Sequence, residues 1–150
     1  MYEYKIAIIG IGYVGLPLLE AFSVNKHNKV IGYDISEERI NDVRQKFVGS
    51  DIQLLLTSNV EDIASSNVYV VTVPTPIDKN NKPDLTCLSE ACLMLGYLVK
   101  KNDIIIFEST VYPSMTEDYC IPIIEGKTNL QAGKDFLYGF SPERINIGDP

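Results

Sequence analysis

Short apolar runs alternate with segments of helical spacing along the whole chain. Lys5 to Ile9 is a β-branched run that ends in glycines, and Leu16, Leu19 and Phe22 then recur on one helical face. Val30-Ile31-Gly32-Tyr33-Asp34 predicts the second strand. After it, Ser36 caps a helix carrying Ile40, Val43 and Phe47, with Gly49 stopping it. Ile52 to Leu56 predicts a third strand, and Ser58 opens a brief helix to Ala64. Val68 to Val73 is a nearly continuous apolar strand, the pattern expected where both sheet faces are covered. Pro74-Thr75-Pro76 and a polar loop, Asp78 to Asp84, come next. The helix that follows places Leu88, Leu95 and Val99 on one face, with Lys100 and Lys101 at its negative end. Asp103 to Phe107 predicts another buried strand. Ser114 and Glu117 have capping-box spacing before a helix through Tyr119 and Ile123, kinked by Pro122. Phe136 to Phe140 predicts the last strand.

The first strand–helix junction carries recognisable chemistry. Gly10-Ile11-Gly12-Tyr13-Val14-Gly15 follows the first strand, and Asp34 closes the second. That is the strand–turn–helix–strand–acid order of a dinucleotide-binding unit. Gly10 permits the tight turn, Gly12 lets backbone approach a pyrophosphate, and Gly15 lets the helix pack closely on the sheet. Backbone N–H groups around Tyr13 and Val14 then point at phosphates from the positive end of a helix. Pro17 falls in the first turn, where a missing N–H costs little. An ordinary glycine-rich turn with an unrelated Asp is the bland alternative, and it leaves the surrounding strand and helix order unexplained. The expected fold class is therefore α/β: a Rossmann-type, doubly wound, mainly parallel sheet with helices on both faces. Ligands bind beyond the carboxyl ends of such strands.

Bulk properties narrow the partners. The 150 residues fit one domain, and a net charge of −7 argues against nonspecific nucleic-acid binding or adhesion to anionic membranes. An anionic ligand stays compatible, since a local helix dipole outweighs diffuse charge. No signal-peptide pattern opens the chain and no apolar run reaches membrane-spanning length, so a cytoplasmic location without membrane attachment is expected. Cys87, Cys92 and Cys120 form no CxxC and have a single histidine, His27, to join them. No metal site is expected, and the cysteines read as buried small hydrophobes in a reducing compartment.

Three predicted strand ends carry unusual sequences: Val73-Pro74-Thr75-Pro76, Glu108-Ser109-Thr110-Val111-Tyr112-Pro113 and Ser141-Pro142-Glu143-Arg144-Ile145-Asn146. Each could be a proline-stiffened turn. Yet hydroxyls, carboxylates and an arginine recur where this fold puts its ligand crevice.

With GYVGLPL at 12–18, GYDI at 32–35, VPTP, ESTVYP and SPERIN, the chain resembles the UDP-glucose/GDP-mannose dehydrogenase family over its whole length. VPTPID followed by KPDLT, and SPERIN followed by Gly148-Asp149, look most like the branch oxidising UDP-2-acetamido sugars for surface polysaccharides. The resemblance implies a four-electron oxidation of a nucleotide-sugar C6 alcohol to the carboxylate, reducing two NAD⁺. It implies NAD contacts at Val14, Asp34, Arg39 and Thr75, beside the glycine turn, with Val73 and Ser109 at the same strand ends. By the same resemblance, Thr110 and Glu143 look like groups at the meeting of nicotinamide, sugar and catalytic water, and Arg144, Ile145 and Asn146 like part of the substrate loop. Chemistry agrees for several of these. Asp34 can take both adenosine ribose hydroxyls, Glu143 can serve as base or water-orienting group, and Thr110 can donate or accept without charge.

Two departures from the family pattern stand out. Ser114 replaces the glycine usual after ESTVYP. The family's catalytic cysteine, in a later glycine-rich motif, has no match in Cys87, Cys92 or Cys120, and neither does its lysine or central dimerising helix. The chain is accordingly expected to be the N-terminal NAD-binding domain of a larger, homodimeric or higher-order enzyme whose UDP-sugar domain lies elsewhere. A free-standing NAD-binding module without turnover, regulatory or vestigial, is the alternative.

Overall fold

A computed structural model describes residues 4–50, 54–77, 79, 82–109 and 114–142. Six strands form one sheet: β1 (Lys5–Ile9), β2 (Lys29–Tyr33), β3 (Leu55–Thr57), β4 (Val68–Val71), β5 (Ile104–Phe107) and β6 (Leu137–Phe140). Their order is β3-β2-β1-β4-β5-β6, and every neighbouring pair is parallel. The helices between them are α1 (Gly15–Ser23), α2 (Glu37–Lys46), α3 (Thr86–Leu98) and α4 (Ile121–Glu125). This is the doubly wound α/β architecture that the alternation predicts.

Strand periodicity divides the core in two. Along β1, Ile6 and Ile8 join α1 and α2 through Leu16, Leu19, Ile40 and Val43. Ala7 and Ile9 join α3 and α4 through Leu88, Leu95, Ile121 and Ile124. Successive strand side chains point to opposite faces, so a strand covered on both sides must be apolar at every position. β4 meets that demand: all four of its residues are buried. Each fully buried Ile or Leu contributes roughly 1.5–3 kcal/mol, and both faces of the sheet collect it. Among the described residues, no helix is long and apolar enough to cross a membrane.

Element ends differ from expectation in instructive ways. Ser36 does cap α2, its hydroxyl accepting from the Arg39 amide at 3.2 Å. The helix stops at Lys46, ahead of Gly49. Ile52 lies outside the described residues, and β3 starts at Leu55. The brief helix is a 3₁₀ turn, Val60–Ile63, capped by Asn59 and not by Ser58. Ser58 is committed elsewhere, to the Glu37 carboxylate on α2. Lys100 does not serve the end of α3. Its Nζ donates to Ala64 O and Ser66 O, both at 3.0 Å, and pairs with the buried Asp103 at 3.1 Å.

The capping box at Ser114 does not form. Ser114 takes a left-handed backbone, φ +67°, and no side chain caps the turn that follows. This conformation is natural to glycine, the residue that the resemblance leads one to expect there. A π turn, Thr116–Cys120, then leads into α4, with Pro122 at its second position. Proline lacks an N–H and its ring crowds the carbonyl four residues back, and the widened turn ahead of α4 accommodates both.

Ser66 is fully buried, and among the described residues its hydroxyl has no hydrogen-bond partner. Burying an unpaired hydroxyl is unfavourable, so Ser66→Ala is expected to raise stability by up to about 1 kcal/mol. A higher denaturation midpoint at unchanged slope is the readout. A loss of stability would show the hydroxyl to be bonded.

Candidate functional site

β1 sends the chain to one side of the sheet and β4 to the other, so their carboxyl ends part and leave a crevice. A cleft of about 540 Å³ opens there. Its walls are Ile9, Gly10 and Gly12 at and beyond the end of β1, Tyr33, Asp34, Ile35 and Arg39 at and beyond the end of β2, and Val73 and Pro74 after β4. Val60 and one face of α3, with Cys87, Glu90, Ala91 and Met94, complete it.

The glycines have three separate jobs. Gly10 has φ +88°, and a Cβ on it would lie 3.2 Å from the backbone of Thr72 and Val73. A Cβ on Gly15 would come within 2.0 Å of Gly10 O and 2.6 Å of Thr72 Oγ1, so here the start of α1 rests directly on the turn. Around Gly12, by contrast, no atom of the described residues other than its chain neighbours lies within 4 Å of a Cβ position. Gly12 faces the cleft. α1 begins with no side-chain cap and no acid in its first turn, which suits an anionic ligand at its positive end.

Asp34 and Arg39 clamp this turn from the β2 side. The Asp34 carboxylate accepts from Ile11 N at 3.1 Å and from Ser36 N at 3.0 Å. Arg39 Nε donates to Ile11 O at 2.7 Å, and Nη2 reaches Gly12 O at 3.4 Å. The carboxylate is thus fixed at the mouth of the cleft, and each of its oxygens has lone pairs left for ribose hydroxyls. Burial, helped by the Asp34 charge, holds the neighbouring Tyr33 phenol above its usual range, so Tyr33 stays neutral. An open glycine facing the cleft, an uncapped helix start and a fixed carboxylate together fit a dinucleotide.

Of the residues expected from sequence, Gly10, Gly12, Asp34, Arg39 and Val73 line the cleft. Tyr13, more than half exposed, and Val14 form the turn before α1. Gly15 lies beneath that turn, and Thr75 is partly exposed beyond Pro74. Ser109 is set back: it is buried, and its hydroxyl donates to Val73 O at 2.7 Å, tying the ends of β4 and β5 together. Thr110, Glu143, Arg144, Ile145 and Asn146 lie outside the described residues.

Other contributors went unread in the sequence. Thr72 is a polar residue ending an apolar strand, a signal that could have been noticed. Glu90 and Met94 sit on the second face of α3, which core periodicity alone does not reveal. Cys87 was expected in the core but is only partly buried and lines the cleft. Cys92 and Cys120 are buried as expected, and the Cys120 sulfur against Cys92, with burial, pushes the Cys92 thiol up. Among the described residues, no group of three or more His, Cys, Asp or Glu could hold a metal ion.

Two alanine substitutions separate the roles of the glycines. Gly12→Ala is expected to leave the denaturation midpoint nearly unchanged while weakening NADH binding at least about tenfold, because its methyl enters ligand space. Gly15→Ala is expected to destabilise the fold itself by about 3 kcal/mol or more, since backbone must move by more than an ångström. Calorimetric titration and urea denaturation check both. Equal affinity for Gly12→Ala and wild type would place the dinucleotide elsewhere.

Comparison with known proteins agrees with this geometry. The NAD-binding-domain model of the UDP-glucose/GDP-mannose dehydrogenase family matches residues 4–150. The chain is 44% identical over 159 residues to the UDP-N-acetyl-D-glucosamine 6-dehydrogenase of Pseudomonas aeruginosa, covering 99% of this chain and 37% of that protein. Protein CapL of Staphylococcus aureus is likewise 44% identical, over 97% of the chain and 36% of CapL. Among solved structures, the UDP-D-ManNAc dehydrogenase of Pyrococcus horikoshii superposes with a TM-score of 0.84 at 34% identity, covering 95% of this chain and 37% of that one. The chain spans little more than a third of the length of the curated relatives it matches. The match over nearly every residue, joined to the cleft described above, places the chain in the UDP-glucose/GDP-mannose dehydrogenase family, as an NAD-binding domain of Rossmann type.

Proposed function

We propose that this chain is the N-terminal cofactor half of a nucleotide-sugar 6-dehydrogenase. The enzyme oxidises the C6 alcohol of a UDP-sugar, most in keeping with its relatives a UDP-N-acetylhexosamine, to the uronate with two NAD⁺, for surface or capsular polysaccharide. The observation that carries this reading is the Asp34 carboxylate fixed at the cleft mouth against the glycine turn. The 44% and 42% identities to two UDP-N-acetyl-D-glucosamine 6-dehydrogenases support the substrate class. On this reading a dimerising helix, a UDP-sugar domain, and the cysteine and lysine of later motifs belong to the part of the relatives that the chain does not span. The parent is a cytoplasmic homodimer or higher homo-oligomer.

NAD⁺ in the cleft supplies a hydride acceptor for C6. The chain's own residues bind and orient. Asp34 accepts from the adenosine ribose hydroxyls, and the amides around Gly12, Tyr13 and Val14 receive the diphosphate. Val73 and Thr75 contact the cofactor past the end of β4, with Ser109 holding Val73 in place. Thr110 offers a neutral hydrogen bond near the reacting carbon, and Glu143 orients or deprotonates the water that releases the acid. Arg144, Ile145 and Asn146 hold substrate. A panel of UDP-sugars offered to the full-length protein, with NADH formation followed by absorbance, tests the reading; no NADH from any UDP-sugar would overturn it.

Cofactor choice follows from Asp34. A 2′-phosphate would meet its carboxylate at contact distance, where like charges repel by about 1 kcal/mol in water and about 4 at intermediate dielectric. Arg39 is turned toward Ile11 O and Gly12 O, which limits what it can offset. NADH is therefore expected to bind at least about fivefold more tightly than NADPH. Equal dissociation constants would refute the role given to Asp34. Glu143→Gln in the full-length protein keeps shape and removes basicity. It is expected to lower turnover by about 10²–10⁴-fold with NADH affinity nearly intact. Normal turnover, or cofactor binding lost in proportion to activity, would make Glu143 structural.

A further inference from the structure

The glycine turn has a support outside its own motif. Thr72, the residue after β4, is buried, and its Oγ1 lies 2.5 Å from Gly10 O and 3.1 Å from Ile9 O. A hydroxyl has one proton to give, and the shorter contact claims it. Ile9 O also has the Thr72 amide, at 2.9 Å, so it is satisfied without the hydroxyl. Gly10 O sits under the start of α1, against the Gly15 Cα, and the Thr72 hydroxyl is the donor that the structure gives it.

We propose that Thr72 is a positioning residue for the cofactor. Its hydroxyl turns the Gly10 carbonyl inward, away from the diphosphate, and fixes the turn from Gly10 to Val14 in its receiving shape. The inference rests on the NAD-binding reading above and adds a residue to it. A carbonyl carries partial negative charge and needs a partner once buried. Without its donor, Gly10 O gains by swinging toward solvent, and Gly10 lines the cleft. An oxygen there would face a dianionic ligand and misplace Gly12. The cost would appear in binding even where the fold survives.

Calorimetric titration of NADH into wild type, Thr72→Val and Thr72→Ser, with urea denaturation of each without cofactor, tests this. Valine keeps the shape and removes the hydroxyl; serine restores it. Thr72→Val is expected to bind NADH about tenfold or more weakly, with Thr72→Ser within about threefold of wild type. A purely structural threonine would lower the denaturation midpoint while leaving the affinity of the folded protein unchanged. Wild-type affinity in Thr72→Val, or an equal loss in Thr72→Val and Thr72→Ser, would overturn the proposal. Should Thr72→Val fail to fold, Thr72→Ala removes the hydroxyl without crowding, and the same comparison with serine decides. A wild-type protein that bound no NADH would remove the NAD-binding reading and this inference together; wild-type binding with an unaffected valine variant removes this inference alone.

Discussion

The start of α1 rests on the carbonyl of Gly10, so closely that a single added carbon at Gly15 would overlap it. This contact decides how the rest of the cleft is built. It sets α1 against the end of β1, with the helix's positive end directed at the opening. It also crowds a carbonyl, which must then find a donor, and Thr72, the residue after β4, supplies one. The turn is thereby bonded to both strands that flank it: through the Gly10 amide to Tyr33 O on β2 at 2.8 Å, and through the Gly10 carbonyl to the residue after β4. Asp34 and Arg39 grip the next residues from the far side. A ligand surface made of backbone needs this many anchors, because backbone has no rotamers to adjust once it has been placed.

The sheet makes such anchoring possible. Parallel strands end together at one edge, and reversal of strand order between β1 and β4 parts the connections exactly where the glycine turn stands. The two cores, one on each face, hold β1 and β4 rigid from above and below. The walls of the cleft are therefore extensions of the most deeply buried strands, while Asp34 and Val73 sit one and two residues beyond them. Rigidity of this origin lets a carboxylate on one connection and a hydroxyl on another act on the same short turn.

Much of this was legible in the sequence, and the reasons are physical. Strands covered on both faces must be apolar throughout, so β1, β2, β4 and β5 announce themselves. A helix that touches backbone demands glycine, so the Gly10–Gly15 spacing marks the first turn. Prediction failed where a local signal had a competitor. Ser58 could cap a helix, but Glu37 on another element takes its hydroxyl. Ser114 and Glu117 have the spacing of a capping box, but Ser114 adopts the left-handed backbone that favours glycine. Lys100 sits where a helix dipole would welcome it, yet loop carbonyls and a buried aspartate offer stronger bonds. Thr72 was unread because its partner is 62 residues away. No window along the sequence contains both halves of that bond. The cleft face of α3 escaped for the same reason, since its neighbours come from β1, β2 and β4.

Charge illustrates the difference between what a whole chain and a single site can express. A net charge of −7 opposes the approach of a dinucleotide diphosphate, but at physiological ionic strength that field is screened beyond roughly 8 Å. Closer in, on the reading proposed above, the ligand would meet the first amides of α1, with no acid in that helical turn. Their partial positive charge is aligned by the helix and cannot be screened once water has left. Arg39, the obvious cation, points its Nε and Nη2 at carbonyls of the turn, cancelling two negative dipoles there without presenting its full charge. On the proposed reading, attraction for the diphosphate is thus assembled from oriented backbone, and it depends on where that backbone is held. An acidic protein can hold an acidic cofactor on these terms, provided the turn does not move.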